Sequence, residues 1–433
     1  MLADLTPLRR SPEFRRLWWG LGLANIGTAL TATAVGLQVY QITHSTFAVG
    51  LIGAAGLVPV IVLGLYGGAL ADTYDRRKVA LIASVIMWMA TLGIVTQAFL
   101  GLNRAWMLYV LVAVQAGASA VNSPARSAII PRLVSMELLP AANALNMVTT
   151  TLSALIGPMI GASLVAAFGY AHTYLIDAVT FTFALYAIIR LPAMPPGQPD
   201  EAPAAPVAHT GGWRSVWDGL QFLRGRRTLL LTFLVDISAM MLACPRSAYP
   251  AAASVILGGG PRTAGYLASA VAVGSLLAAI FSGPLGRVHR QGLVVSFAVC
   301  GYGLGIGACG LVWVLAGRTS PHEVLLGALI ASIVALAFSG GCDAVSATFR
   351  GTMLQAAAPD AMRGRLQGVY FVVVTGGPRL GDVFLGAMSH RFGEGMALLV
   401  GGLACVLCVV LLTRWHRPFL RYDARYPLAE ATR

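Results

Sequence analysis

Residues 47–78 read FAVGLIGAAGLVPVIVLGLYGGALADTYDRRK. The first twenty-five of them, 47–71, carry no charge. A helix of that length rises about 1.5 Å per residue and covers the roughly 30 Å hydrocarbon core of a bilayer. Two aspartates and three basic residues then follow within 72–78. The stretch therefore predicts a membrane-spanning helix that ends in a short charged loop.

The rest of the chain repeats this pattern of an apolar run and a short break. Only 11% of the 433 residues are charged, whereas soluble domains carry about 25%. This deficit excludes an ordinary soluble fold. The apolar runs cover residues 17–40, 47–71, 79–100, 105–129, 142–168, 172–190, 228–250, 263–285, 292–316, 323–347, 366–390 and 395–413. The sequence predicts an all-α membrane protein with twelve transmembrane helices.

The basic residues concentrate on one side of these spans. With the N-terminus in the cytoplasm, twenty-four of the thirty lysines and arginines fall in cytoplasmic segments, and Arg350 is counted there, in the loop after the tenth run. Only four fall in outer loops: Arg104, Arg262, Arg318 and Arg391. Cytoplasmic loops of membrane proteins collect arginine and lysine. Topology with both termini in the cytoplasm thus explains the net charge of +13, and we expect no nucleic-acid partner.

The twelve runs divide into two sets of six, separated by a Pro- and Ala-rich stretch that is too poor in large apolar residues to pack. After it, apolar residues around Trp217 recur at helical spacing, which predicts a short amphipathic helix on the membrane surface. Matched glycine spacings in the two sets indicate two pseudo-symmetric six-helix bundles. The predicted organisation is an N-terminal bundle over 1–190, a cytoplasmic linker with the amphipathic helix over 191–227, a C-terminal bundle over 228–413 and a cytoplasmic tail over 414–433.

Six charged side chains lie well inside the predicted spans and away from their ends, where a charge costs about 2.5–3.5 kcal/mol to insert. They are Asp177, Asp236, Asp343, Asp382, Arg246 and Arg379. The i, i+3 spacing of Arg379 and Asp382 predicts a salt bridge on one helix face. Arg246 has no acidic residue within one helical turn, so we expect it to meet either an anionic substrate or Asp236. Asp236 lies nearer the cytoplasmic end, where water can reach it. The six are candidate substrate and coupling residues.

The loop after the second span contains Gly68, Asp72, Arg76 and Arg77. A loop that only sets orientation needs the basic residues but neither the glycine nor the aspartate. The pattern resembles the loop signature of the major facilitator superfamily, in which a glycine lets two helices approach and a helix-end carboxylate pairs with neighbouring positive groups. The resemblance implies the two-bundle fold of that superfamily and gating roles for all four residues. Asp75 stands where the signature has a second glycine.

The fifth run contains Gly157, Pro158 and Gly161. A proline removes a backbone donor and kinks a helix, and glycines let a neighbouring helix approach closely. The pattern is similar to the antiporter signature of exporters in the same superfamily. This similarity implies a pliable point in a gating helix and favours export over import, although Gly and Pro are also common in ordinary spanning helices.

Several blocks along nearly the whole chain resemble the bacterial family of exporters of enterobactin, a catecholate siderophore. They include SPEFR at 11–15, THST at 43–46, Arg246 with YPA at 249–251, and TMLQ at 352–355. The resemblance implies proton-driven export of a newly made siderophore from the cytoplasm. Arg246 would then suit an anionic or catechol-bearing cargo, because a guanidinium binds such oxygens with two parallel hydrogen bonds.

The sequence shows no nucleotide-binding loop, metal-ligand cluster or Ser-His-Asp spacing. We therefore expect no cofactor, with the proton gradient as the energy source. The prediction is a monomer in the cell inner membrane that acts on a small molecule, with protons and the lipid bilayer as its other partners. Two alternatives stay open: a broad-specificity drug efflux antiporter of the same superfamily, and a membrane-embedded receptor or enzyme that transports nothing.

Overall fold

The described part of the protein is almost entirely α-helical. In the computed structural model it comprises residues 4–194, 213–283, 285, 288–321, 323–357 and 360–423. The α-helices there are, in chain order, α1 (Thr6–Arg10), α2 (Pro12–Thr43), α3 (Thr46–Thr73), α4 (Arg76–Phe99), α5 (Ala105–Leu133), α6 (Leu139–Ile189), α7 (Trp213–Arg224), α8 (Arg227–Leu242), α9 (Tyr249–Ala251), α10 (Gly260–Ile280), α11 (Gln291–Ala316), α12 (Leu326–Ala357), α13 (Asp360–Phe392) and α14 (Glu394–Trp415). Helices dominate because a chain in lipid must satisfy its backbone groups within each span.

The chain forms two compact units. Unit 1 comprises Met1–Thr43 and Ala55–Gly212, and unit 2 comprises His44–Ala54 and Trp213–Arg433. Helix α3 is shared, since its first residues group with unit 2 and the remainder with unit 1. Much of the predicted linker lies outside the described residues, which stop at 194 and resume at 213.

Unit 1 is built around the packing of α2 on α6, with α4 packed on both α5 and α6. Helix α6 has 51 residues, but Gly169 interrupts it with φ of 76° and ψ of 178°. Glycine adopts this conformation without strain because it has no Cβ. The turn at Gly169 separates the fifth span from the sixth.

Ten helical segments among the described residues are long and apolar enough to cross a bilayer. One of them, Met136–Ile189, holds two spans because of the turn at Gly169. Helix α13 is also long enough, since its 33 residues rise about 1.5 Å each, although it carries Arg379 and Asp382. The described helices accommodate the twelve predicted spans and confirm the all-α membrane architecture.

Unit 2 departs from the predicted runs at the tenth span. The apolar run ends at 347, but α12 continues to Ala357 and contains Arg350, only 5% of which is exposed. The prediction that placed Arg350 in a cytoplasmic loop is wrong. A charged residue ends an apolar run in the sequence, but it does not end a helix in which other side chains neutralise it.

The seventh span also departs from prediction, because it is not one continuous helix over 228–250. Helix α8 ends at Leu242, and a 3-10 turn over Arg246–Ala248 follows. The span then resumes as α9 and a π-helical segment, Ala252–Ile256. The chain is thus broken in the middle of a span, at the position of Arg246.

The predicted amphipathic helix is present as α7, which packs on α8 and α13. Its Leu223 is buried, whereas its Trp217 is 56% exposed. The guanidinium of Arg224 lies 5.9 Å from the centre of the Trp217 ring. Exposed tryptophan beside arginine is typical of the lipid headgroup region, and this agrees with a helix that lies on the membrane surface.

Candidate functional site

The break in the seventh span leaves backbone groups that need partners, and side chains from two other helices supply them. Pro245 cannot donate a backbone hydrogen bond. The carbonyl of Ala243 accepts one from the hydroxyl of Tyr302 on α11, at 2.8 Å. The backbone N–H of Ser247 donates to the carboxylate of Asp382 on α13. Irregular backbone at membrane depth is tolerated only with such partners, so Tyr302 and Asp382 stabilise the break.

Arg246 lies in this break with its side chain exposed, while its neighbours Pro245 and Ser247 are buried. The carboxylate that attracts it most strongly is Asp382. The alternative in which Arg246 meets Asp236 is wrong, because Asp236 has a different partner. An exposed guanidinium remains available to a ligand that carries negative charge.

The carboxylate of Asp382 interacts with the break in the seventh span as well as with Arg379, one turn away on its own helix. Its carboxylate accepts hydrogen bonds from Ser247 and, at 3.5 Å, from the thiol of Cys244. The positive charges of Arg246 and Arg379 both act on it. The predicted partner Arg379 is thus not the sole one, because the break offers a backbone N–H, a thiol and a second positive charge.

A buried ion pair connects α8 with α12. The guanidinium of Arg350 pairs with Asp236, and only 6% and 5% of the two side chains are exposed. The expectation that water solvates Asp236 is wrong. Arg350 also lies 3.7 Å from Asp343, whose side chain is 35% exposed. The buried pair thus lies beside a carboxylate that is partly exposed.

These residues form one group, which we call the charged cluster: Asp236, Asp343, Asp382, Arg246, Arg350 and Arg379. Asp343 joins its two parts, because it interacts with both Arg350 and Arg246. The cluster holds three carboxylates and three guanidiniums. Each charge has a compensating partner, which lowers the cost of burial. A cargo anion or a proton that enters the cluster must displace one of these pairings.

Asp177, the sixth predicted residue, belongs to unit 1, whereas the charged cluster belongs to unit 2. It is 2% exposed, and its Oδ2 accepts a hydrogen bond of 2.6 Å from the hydroxyl of Thr31. Its Oδ1 has no hydrogen-bond partner, and the described residues place no basic side chain within ion-pair distance. Asp177 is thus a buried carboxylate with a single side-chain hydrogen bond.

The charged loop after α3 is fixed to the ends of two other helices of unit 1. The guanidinium of Arg76 lies 3.5 Å from the carbonyl of Ala128, and that of Arg77 lies 2.6 Å from the carbonyl of Ile189, at the end of α6. The surroundings of Gly68 and the side chain of Asp72 lie outside what the structure describes, so their predicted gating roles stay predictions.

Asp75 replaces the second glycine of the loop signature and has a clear structural role. Its carboxylate caps the N-terminus of α4 by accepting from the N–H groups of Arg77 and Lys78. The same carboxylate accepts from the N–H of Met194, after the sixth span, at 3.3 Å. Asp75 therefore joins the charged loop to the chain that leaves α6, a contact that the loop signature does not predict.

Gly157 and Gly161 bring α6 against α2, as the sequence led us to expect. A Cβ placed on Gly157 would lie 2.5 Å from the Cβ of Ala29, and one on Gly161 would lie 2.9 Å from the Cα of Leu30. Pro158 sits between them inside the helix. The close approach is thus required at both glycines, while their predicted part in gating is not tested by it.

Sequence reasoning missed Arg350 and Tyr302. Arg350 could have been found, because it follows Asp343 by seven residues and therefore lies on the same face of α12. Nothing local identifies Tyr302, since its role depends on a carbonyl in another span. The predicted residues of unit 2 are otherwise brought together by the fold: Arg246, Asp236, Asp343, Arg379 and Asp382.

Comparison with known proteins adds the family context. Residues 2–430 match the family described as transmembrane secretion effector. The chain is 30% identical over 430 residues to the enterobactin exporter EntS of Shigella boydii serotype 18 and to that of Escherichia coli O139:H28, with 96% of each chain covered. The crystal structure of the POT family transporter PepTSo shares the fold, with a TM-score of 0.74 at 12% identity over 95% of this chain and 99% of that one.

Proposed function

The chain belongs to the transmembrane secretion effector family of major facilitator transporters, and on this premise we propose that it exports a catecholate siderophore of the enterobactin type in exchange for protons. Membership makes it a multi-pass membrane transporter and not an enzyme. The cargo, the use of protons, the cycle of alternating access and the cytoplasmic position of both termini are parts of the proposal.

The exposed guanidinium of Arg246 is the observation that supports the proposed cargo. Catecholates present pairs of acidic oxygens, and the planar guanidinium of arginine matches such pairs better than a lysine ammonium does. Arg246 is exposed at the break of the seventh span and is attracted by Asp382. A cargo anion can take the place of Asp382 at this guanidinium. The relatives that share 30% identity with this chain are named as enterobactin exporters, which supports the same cargo class.

Carboxylates that can change protonation state support proton coupling. Asp343 and Asp382 are each partly exposed within the charged cluster, and Asp177 is buried beside a hydroxyl. Exchange with protons requires a carboxylate that is charged at one stage of the cycle and neutral at another. Intramembrane carboxylates commonly serve this purpose in transporters. We propose that the coupling proton binds at one of these three.

Deletion of the gene in its own host under iron starvation tests the proposal. We expect a catecholate iron chelator to disappear from the culture medium and to accumulate in the cells, and wild-type protein to restore its release. An uncoupler that collapses the proton gradient should stop that release. Rescue of the deletion with the variant Arg262→Gln is the control. It changes an exposed arginine near the start of α10 and should restore export as fully as the wild type. An unchanged set of chelators in the medium would refute the siderophore proposal, and altered tolerance to many unrelated lipophilic drugs would favour drug efflux.

The proposed orientation predicts that a green fluorescent protein fused after Arg433 becomes fluorescent. The reason is that such a reporter folds in the cytoplasm but not after export through the general secretion pathway. The excess of arginine supports a cytoplasmic position for this end of the chain. A reporter that is active only outside, such as alkaline phosphatase, should stay inactive at the same position. The opposite pair of results would contradict the orientation.

A further inference from the structure

A buried carboxylate outside the charged cluster lies at the start of α14. Glu394 is 3% exposed, and its Oε1 accepts a hydrogen bond of 2.8 Å from the hydroxyl of Thr46, the first residue of α3. Its Oε2 lies 3.2 Å from the guanidinium of Arg318, which is 55% exposed. A hydrogen bond to a charged, buried acceptor is among the stronger ones in proteins. Glu394 therefore holds the start of α3 against α14.

The first turns of α3 also lie directly on α13, at the residues that carry part of the charged cluster. A Cβ on Gly53 would lie 2.9 Å from the carbonyl oxygen of Arg379, and a Cβ on Gly50 would collide with the carbonyl oxygen of Asp382. From the other side, a Cβ on Gly386 would lie 3.0 Å from the carbonyl oxygen of Thr46. Glycine on both helices lets the two backbones approach this closely.

Through these contacts, the backbone of α13 around Asp382 connects the break of the seventh span with the start of α3. The side chain of Asp382 holds the break of the seventh span, while its carbonyl faces Gly50 of α3. A shift of α13 that accompanies a change of partner at Arg246 must therefore move the start of α3 or separate from it. The residues His44–Ala54 group with unit 2, which agrees with a segment that follows α13.

We propose that Glu394 is a positioning residue for export. Through Thr46 it holds the first turns of α3 on α13. A shift of α13 at the charged cluster therefore also moves the end of the second span that is predicted to face outside. Its part in export rests on the proposed function, whereas the contact itself can be tested without cargo. Arg318 supports it by neutralising the carboxylate.

Hydrogen–deuterium exchange of the full chain in lipid nanodiscs, without cargo, tests this role. Thr46→Val removes the donor, and Glu394→Ala removes the acceptor. We expect both to accelerate amide exchange in residues 46–54 by about tenfold, which corresponds to about 1.4 kcal/mol of opening free energy. Thr46→Ser keeps the hydroxyl and should exchange like the wild type. Glu323→Gln, at an exposed glutamate in the loop before α12, is the matched control for charge and should also leave the exchange unchanged.

The position of the effect separates positioning from general damage. Support for the proposal is acceleration confined to the start of α3, with α11 protected as in the wild type, and a lower export rate at unchanged cargo affinity for Glu394→Ala. Uniform acceleration throughout unit 2, or no acceleration in either variant, would overturn it. Because the exchange is measured without cargo, a failed siderophore assay leaves this result standing and refutes only the proposed cargo.

Discussion

Arg350→Ala is expected to destabilise the protein by about 3–5 kcal/mol, the usual cost of removing one partner from a buried ion pair. The variant leaves the carboxylate of Asp236 buried without its guanidinium, and Asp343 loses its nearer cation. Export should fall with the amount of folded protein and should stay low even per folded molecule. Thermal unfolding of the purified protein in detergent, followed by size-exclusion chromatography, measures the loss.

The double variant Asp236→Asn with Arg350→Gln distinguishes the lost ion pair from a lost side-chain volume. It removes both charges, so we expect it to regain most of the stability while export stays impaired. Arg391→Ala is the matched control, because this arginine is exposed at the end of α13 and its loss should change stability by less than about 0.5 kcal/mol. If Arg350→Ala proved as stable as the wild type, the pair with Asp236 could not be present in the membrane.

Arg246→Gln is expected to weaken binding of a catecholate siderophore by about 100-fold, or about 2.7 kcal/mol, within the range measured for truncating one partner of a buried charge pair. The reason is the loss of the guanidinium that faces the cargo, while Tyr302 still satisfies the carbonyl of Ala243. Unfolding temperature should change little, because Asp382 keeps Arg379 as a cation and Ser247 as a donor. Titration of the purified protein with the siderophore measures the affinity.

Arg246→Lys provides the sharper comparison. It keeps the positive charge but removes the paired donors, so we expect it to recover only part of the affinity. Arg262→Gln should bind the siderophore like the wild type. Equal affinity in Arg246→Gln and the wild type would show that the cargo is held elsewhere, and full recovery in Arg246→Lys would show that charge alone is needed.

The spans were predictable because each one is a local property of the chain. A helix in lipid satisfies its backbone within the segment, so an uncharged stretch such as 47–71 indicates a span without knowledge of its neighbours. The positions of Asp236, Asp343 and Arg246 within spans followed from the same count. The break at Pro245 could be suspected from the proline, but its extent and its partners could not.

The partners of the charged residues were decided by packing between helices that are distant in sequence. The charge of Arg350 ends an apolar run and therefore predicts a loop, whereas its ion pair is with Asp236 on α8. The i, i+3 spacing predicts Arg379 as the partner of Asp382, but Ser247 and Arg246 on another span interact with it as well. Glu394 lies next to an outer loop in the sequence and is nevertheless buried against Thr46.

The amino-acid sequence by itself therefore determined that this protein lies in a bilayer as an all-α fold, and which residue types are available for transport; it also predicts twelve spans and the side of the membrane that the basic residues face. The tertiary structure decided which of those charges meet, where the seventh span opens its backbone, and which carboxylate holds the start of α3. The physical reason is that hydrophobic burial and backbone hydrogen bonding act within each helix, whereas a charge in lipid is stabilised only by the particular side chain that packing places beside it.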